Sequence, residues 1–260
     1  MEIIREKDIN FKALTRIHSK TNSESRLFHD GEVLYKMYKE TPLRLLNRKK
    51  HKIELLNGED RLDNVIFPDK IILKKQVMSG CCMPYIDNAT IMFYFATKSS
   101  DINVFLQLVS QISHSLRKIH NDPRNIVVGD LSFSNIIFDE NMNHYFIDFD
   151  SCMIDKIPSD MISFLFDDYL NERGINYADI NQNTDKLCLI LNTIYTIFCK
   201  DVDSLSMYEF DSKAEKVSTL KNMREIVLEI KKYGNIPTAT YIDEFIPETH
   251  KKRVRVTSRS

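Results

Sequence analysis

Strand-like and helix-like patterning are segregated along this chain, and that segregation limits its fold more than any other feature of the 260 residues. The first third holds short apolar runs and one helix. The rest is mostly helical, interrupted by one pair of short strands. Strands followed by helices, rather than alternating with them, argue for an α+β protein of two segregated parts.

Residues 26–38, RLFHDGEVLYKMY, read as a hairpin turned by Asp30-Gly31, because glycine tolerates positive φ. Leu34, Lys36 and Tyr38 then share one face. Residues 43–57 read as a helix stopped by Gly58, with Glu54 close to its apolar side. The basic run of residues 48–52, RKKHK, reads as a solvated face of that helix. Strand-like material flanks a turn at Pro68-Asp69. Residues 80–88, GCCMPYIDN, read as an extended connector and as the boundary between two parts. Residues 101–120 form an amphipathic helix with Asp101 at its start and Pro123 just past its end. Residues 185–199 are apolar nearly all round, as in a helix buried on most sides. Ser212-x-x-Glu215 reads as a capping box opening a helix that runs to about Tyr233, before Gly234.

Composition excludes some functions. Hydrophobic residues make up 43 % and charged residues 28 %, as in ordinary globular proteins, and the net charge of −1 argues against a nucleic-acid binder. No apolar run approaches the roughly 18 residues of a membrane span. The N-terminal MEIIREKDINFK lacks the apolar core of a secretory signal, so no membrane role and a cytoplasmic location are expected. Cys81, Cys82, Cys152, Cys188 and Cys199 are odd in number and lack metal-type spacing, which reads as reduced thiols.

The chemistry concentrates in residues 129–151, GDLSFSNIIFDENMNHYFIDFDS. Two short strands flank the polar turn at residues 140–143. A hairpin sets its open ends side by side, so Asn135 entering and Asp148 leaving are brought together. An amide oxygen beside a carboxylate is a hard oxygen site of the kind that suits Mg²⁺. Asp130, on the loop leading in, is placed to orient or deprotonate a hydroxyl. That division of labour serves phosphoryl transfer.

GDLSFSN matches the pattern H-R-D-L-x-x-x-N from its Asp onward, and DFD matches the Asp-Phe of D-F-G. On these motifs the chain resembles the protein-kinase-like superfamily, in an atypical, bacterial-type form related to aminoglycoside and choline kinases. The resemblance covers roughly residues 20–200. It implies a bilobal α+β fold: a small β-rich N-lobe over residues 1–83, a hinge at 84–87 and a larger helical C-lobe over 88–260. ATP would bind in the cleft. Asp130 would be the catalytic base, with Asn135 and Asp148 holding Mg²⁺. Lys36, in VLYKMY, stands where V-A-I-K has its lysine, with Glu54 on the next helix as its expected partner. Pro84, Tyr85 and Ile86 fall at the hinge that would meet the nucleotide. Asp185 resembles the acid that anchors the catalytic-loop backbone.

The chain also departs from that family. Val128 and Gly129 replace His and Arg of H-R-D, and glycine before the Asp is common in the small-molecule kinases. Ser132 replaces the lysine usual in Ser/Thr kinases. Asp150 replaces the glycine of D-F-G, either as an added carboxylate near the metal or as a solvent-facing side chain. No glycine precedes Gly31, so the glycine-rich phosphate loop is replaced by residues 19–25, SKTNSES, with Ser23 and Ser25 left to meet phosphates. The function implied is an ATP- and Mg²⁺-dependent phosphotransferase acting on a protein hydroxyl. A small-molecule alcohol kinase, a pseudokinase acting as a scaffold, and AMP transfer on the same fold are the alternatives. The basic tail HKKRVRVTSRS reads as a disordered end.

Overall fold

The structure, a computed structural model, describes residues 1–17, 24–57, 62–94, 101–160, 169, 172, 180–233 and 240–246. Ser23, Gly58, Gly234 and the basic tail lie outside the described residues. The chain is α+β and divides into two compact units. One comprises Met1–Ile91, Arg124–Val128 and Asn135–Met161; the other comprises Met92–Pro123, Gly129–Ser134 and Ile162–Ser260. This division differs from a break at residues 84–87, because the hairpin around residues 136–146 belongs with the N-terminal sheet. Phe146 secures it there: its N–H donates to the Asn64 carbonyl (2.8 Å) and its carbonyl accepts from the Ile66 N–H (2.9 Å).

The first unit holds a six-stranded mixed sheet, ordered β1-β5-β6-β4-β3-β2. Its strands are β1 (Glu2–Arg5), β2 (Thr15–Ile17), β3 (Ser25–His29), β4 (Val33–Tyr38), β5 (Lys70–Lys74) and β6 (Val77–Pro84). β1 runs parallel to β5, and the other pairs are antiparallel. The β3–β4 turn forms at Asp30-Gly31 as the sequence predicts. Asp30 Oδ1 accepts from the Glu32 and Val33 amides, and Gly31 has φ +104°.

No turn forms at Pro68-Asp69, which run irregularly into β5, and the run from Lys70 onward folds back on itself, β5 and β6 turning at Lys75-Gln76, both at positive φ (49° and 70°). Paired left-handed residues suit the twist of a two-residue hairpin, and here they do so without glycine. Residues 80–84 are not a connector but the end of β6, an interior strand. At Gly80 an added Cβ would meet the Lys36 carbonyl oxygen at 2.4 Å, so glycine is what lets β6 lie against β4 beside Lys36.

Helix α1 (Leu43–Leu56) packs its Leu46 and Ile53 with Ile66, Ile71, Met78, Cys81 and Met83 into this unit's core. A second, three-stranded sheet joins β7 (Thr90–Ile91), β8 (Ile136–Phe138) and β9 (His144–Phe146).

The second unit is helical in its described residues. α2 (Ile102–His120) is capped by Asp101, which accepts from the Asn103 amide (2.9 Å), and packs on α3 (Gln182–Phe198). Residues 187–194 of α3 are all buried, as its all-round apolarity requires. One long helix from Ser212 to Tyr233 is not what forms. Ser206 and Glu209 make the capping box instead, opening α4 (Met207–Lys216). α5 (Ser218–Lys221) and α6 (Arg224–Tyr233) follow a break at Val217, whose backbone (φ −127°, ψ 90°) leaves the helical region. No described helix is long and apolar enough to cross a membrane. All five cysteines are free, with only Cys199 exposed.

Candidate functional site

Each unit carries one group of the residues singled out above. In the first, β8 and β9 set their open ends together as the spacing predicts. The Ile147 N–H donates to the Asn135 carbonyl at 3.0 Å, so Asn135 lies directly across from the residue before Asp148. Asp148 has φ +70°, a left-handed conformation that Asp tolerates better than most side chains. It starts a single 3-10 turn, Phe149–Ser151, which Phe149 pins by edge contacts with Phe67 and Phe146. Asp148 and Asp150 thereby both reach the ammonium of Lys36 on β4.

Lys36 is only 5 % exposed. Its Nζ donates to Asp148 Oδ1 and to both oxygens of Asp150, at 2.8 and 3.0 Å. Burial disfavours its charge, but the two carboxylates outweigh that and hold its pKa well above the usual lysine value. Asp150 is fully buried. It also accepts from the Tyr38 hydroxyl (2.7 Å) and from Lys49 (3.2 Å). Burial opposes its charge too, yet Lys36 and Lys49 hold it far below the ordinary carboxylate range. Asp148 differs: its side chain is 33 % exposed, and burial of its surroundings with Asp150 nearby holds its pKa above that range despite Lys36.

The basic run on α1 is not a solvated face. Lys49 and Lys52 are fully buried. Lys49 donates to Glu24 (3.1 Å) and to Ser151 Oγ (2.8 Å) as well as to Asp150. Lys52 lies 2.9 Å from Asp160, and burial pulls its pKa down. Asp160 also faces Arg48 at 3.4 Å and Lys49 at 3.8 Å. These contacts are ionic, since neither Asp160 oxygen receives a well-directed hydrogen bond. Four cationic side chains (Lys36, Arg48, Lys49, Lys52) thus face four anionic ones (Glu24, Asp148, Asp150, Asp160). With all ionised, the cluster is formally neutral.

Glu54 does not pair with Lys36. At 100° per residue it sits about 140° around α1 from Lys49. Its carboxylate is 42 % exposed and lies near Lys50 (3.8 Å) and His51 (3.7 Å). Ser25 is not in an open phosphate loop but buried within β3, opposite Tyr38. Pro84 is exposed at the end of β6, and Tyr85 stacks on His29 while its amide donates to the Glu32 carbonyl. Ile86 packs against the core of its unit.

In the second unit, Asp130 is half-buried and follows Gly129, whose φ is +74°. Asp185 Oδ1 accepts from the Gly129 N–H at 2.8 Å. Its Oδ2 meets His120 Nε2 at 2.9 Å, and His120 Nδ1 meets the Tyr241 hydroxyl at 2.9 Å. Asp185 does not cap its helix. Asn181 does, in a capping box with Thr184, leaving Asp185 buried one turn inside α3. Asn192, also on α3, donates to the Leu131 carbonyl at 3.1 Å. The backbone on both sides of Asp130 is therefore tied to one helix.

The sequence reading missed Glu24, Tyr38, Lys49, Lys52, Ser151 and Asp160. A usable signal existed for Lys49 and Lys52: with Leu46, Ile53 and Leu56 they share one helical stripe. Among the described residues no three His, Cys, Asp or Glu side chains are grouped to hold a metal. Asn135 and Asp148 stand at the two open ends of one hairpin, and an amide oxygen and a carboxylate are ligand types that could hold Mg²⁺ with phosphate and water. No protein-family model matches the chain, and no curated protein matches it either.

Proposed function

We propose that the chain is an ATP- and Mg²⁺-dependent phosphotransferase of bilobal, kinase-like architecture that delivers a phosphoryl group to a protein hydroxyl. One observation carries this reading. Lys36 and Asp148 are 112 residues apart in sequence, were picked out by separate motifs, and meet as an ion pair. Folding stability alone gives little reason for such a pair. Buried ion pairs are often no more stabilising than apolar replacements, and this one keeps its acid partly exposed in a left-handed conformation.

In this reading Lys36 binds nucleotide phosphate oxygens, and Asn135 and Asp148 would hold the metal. Magnesium, when bound, would neutralise charge developing on the phosphate oxygens. Asp130 orients the acceptor hydroxyl and takes its proton. The backbone ties from Asp185 and Asn192 hold its loop for that task. Positioning and charge neutralisation supply most of the catalysis. The preference for a protein acceptor rests on the span from Asp148 to Asp185, which has room for a protein-kinase-like activation segment and no large insertion.

The test is incubation with labelled ATP and Mg²⁺, scored by intact mass on this chain, on a generic protein substrate and on small alcohols. Turnover that disappears in Asp130→Ala and Asp148→Ala supports the reading. An added AMP mass in place of a phosphate would redirect it to nucleotidyl transfer. One observation favours a second reading, a binding module without turnover: the absence of any glycine ahead of Gly31. Nucleotide binding without product in any of these assays would select it.

A further inference from the structure

We infer that Asp150 is the residue that positions Lys36 for the nucleotide phosphates, and that Lys49 on α1 anchors Asp150 in turn. The inference rests on the phosphotransferase reading and specifies how its lysine is held. Lys36 hydrogen-bonds to two carboxylates, with Glu24 further off at 3.7 Å, and the two differ in what else they can do. Asp148 is partly exposed and, in that reading, is needed by the metal. Asp150 has no exposure and contacts Lys36 through both oxygens. When Asp148 turns to a metal, Asp150 is the partner that stays.

Asp150 is itself over-determined. Besides Lys36 it accepts from Tyr38 and Lys49, and Lys49 is tied to Glu24 and to the neighbouring Ser151. The Tyr38 ring lies 5.6 Å from the Lys36 ammonium and 5.4 Å from that of Lys49, closing the space between them. Helix α1 has no alternative acid to offer, since Glu54 is its only carboxylate and points away. The helix therefore reaches the site with cations, and the acid comes from the same short turn that carries Asp148. Lysine and metal ligand are held by one segment, residues 148–151, so both are set together.

The experiment measures ATP affinity by calorimetry, with and without Mg²⁺, and separates kcat from KM for Asp150→Asn, Asp150→Glu and Tyr38→Phe. Asp150→Asn should weaken ATP binding about tenfold or more even without metal, because a charge-assisted contact is lost. It should raise the KM for ATP and leave the KM for acceptor unchanged. Asp150→Glu should recover part of the loss, and Tyr38→Phe should cost roughly twofold to fivefold. If Asp150→Asn does not fold, Tyr38→Phe decides. Wild-type ATP affinity in a folded Asp150→Asn, or in Tyr38→Phe, overturns the inference. So does an equal rise in both KM values, which marks general disruption. A wild-type protein that binds no ATP fails at the earlier step and takes the phosphotransferase reading down with this one.

Discussion

Two polar networks among the described residues are built on opposite plans. The network around Asp150 is made of full charges: three lysines and an arginine against four carboxylates. The network around Asp185 is shorter and ends on backbone. It runs from Tyr241 through His120 and Asp185 to the Gly129 amide, with the Gln182 side chain donating to the His120 carbonyl at 2.7 Å. In the second, His120, Asp185 and Gly129 are buried, Tyr241 and Gln182 are half-buried, each named member is partnered, and the output is the placement of a loop. In the first, Glu24, Arg48 and Asp148 are partly open to solvent, and Asp148 is held above its ordinary pKa. A closed network fixes geometry. A network with acids open to solvent, one of them in a left-handed conformation, is equipped to exchange a partner, which is what a ligand-binding site requires.

The largest effect should come from breaking the charged network at its centre. Asp150→Ala leaves the Lys36 and Lys49 ammonium groups facing one another without the fully buried acid between them, with the part-exposed Glu24 as the acid they still share. It should cost about 3–5 kcal/mol, as removal of one member of a buried ion pair does. Urea unfolding would show this as a lower midpoint with an unchanged m-value. Asp185→Ala should cost less, about 1–3 kcal/mol, because it strands one buried amide and one imidazole rather than two like charges. If Asp185→Ala proves the more damaging of the two, the contrast between the networks is wrong.

Asp148 should behave in the opposite sense. Its folded-state pKa is raised, so the metal-free folded protein takes up a proton at a higher pH than the unfolded chain does. Stability therefore rises as pH falls from neutrality through the raised value toward the ordinary carboxylate value of about 4. Asp148→Asn should remove that rise and lift the neutral-pH Tm of the metal-free protein by roughly 2–4 °C. Asp150, whose pKa is depressed, contributes the reverse: stability present above the ordinary carboxylate value and lost as pH falls below it. Thermal melts between pH 2 and 8 on the two variants would separate these signs, with the Asp148 contribution changing above about pH 4 and that of Asp150 below it. A wild-type melting temperature that falls steadily from pH 7 to 5 would contradict the assignment to Asp148.

The smallest effect is expected at Glu54. Glu54→Gln alters an exposed acid with only neighbouring helix cations nearby, so stability should change by less than about 0.5 kcal/mol. ATP affinity should likewise hold. A large loss there would restore the pairing with Lys36 that the geometry of α1 does not make.

Much of this was legible along the chain. The Asp30-Gly31 turn, the α2 helix with its Asp101 cap and the buried α3 follow from local periodicity and capping chemistry, which sequence states directly. The approach of Asn135 to Asp148 was legible for the same reason, since a two-strand hairpin of known length has only one way to close. The burial of Lys49 and Lys52, the seat of Asp150 and the true cap of α3 were not. A lysine in a basic run looks solvated unless a buried acid awaits it, and here those acids lie about a hundred residues further along. Local pattern determines which elements form and which face is apolar. Which charges may be buried is decided by partners distant in sequence, because only a folded neighbour can compensate the loss of water.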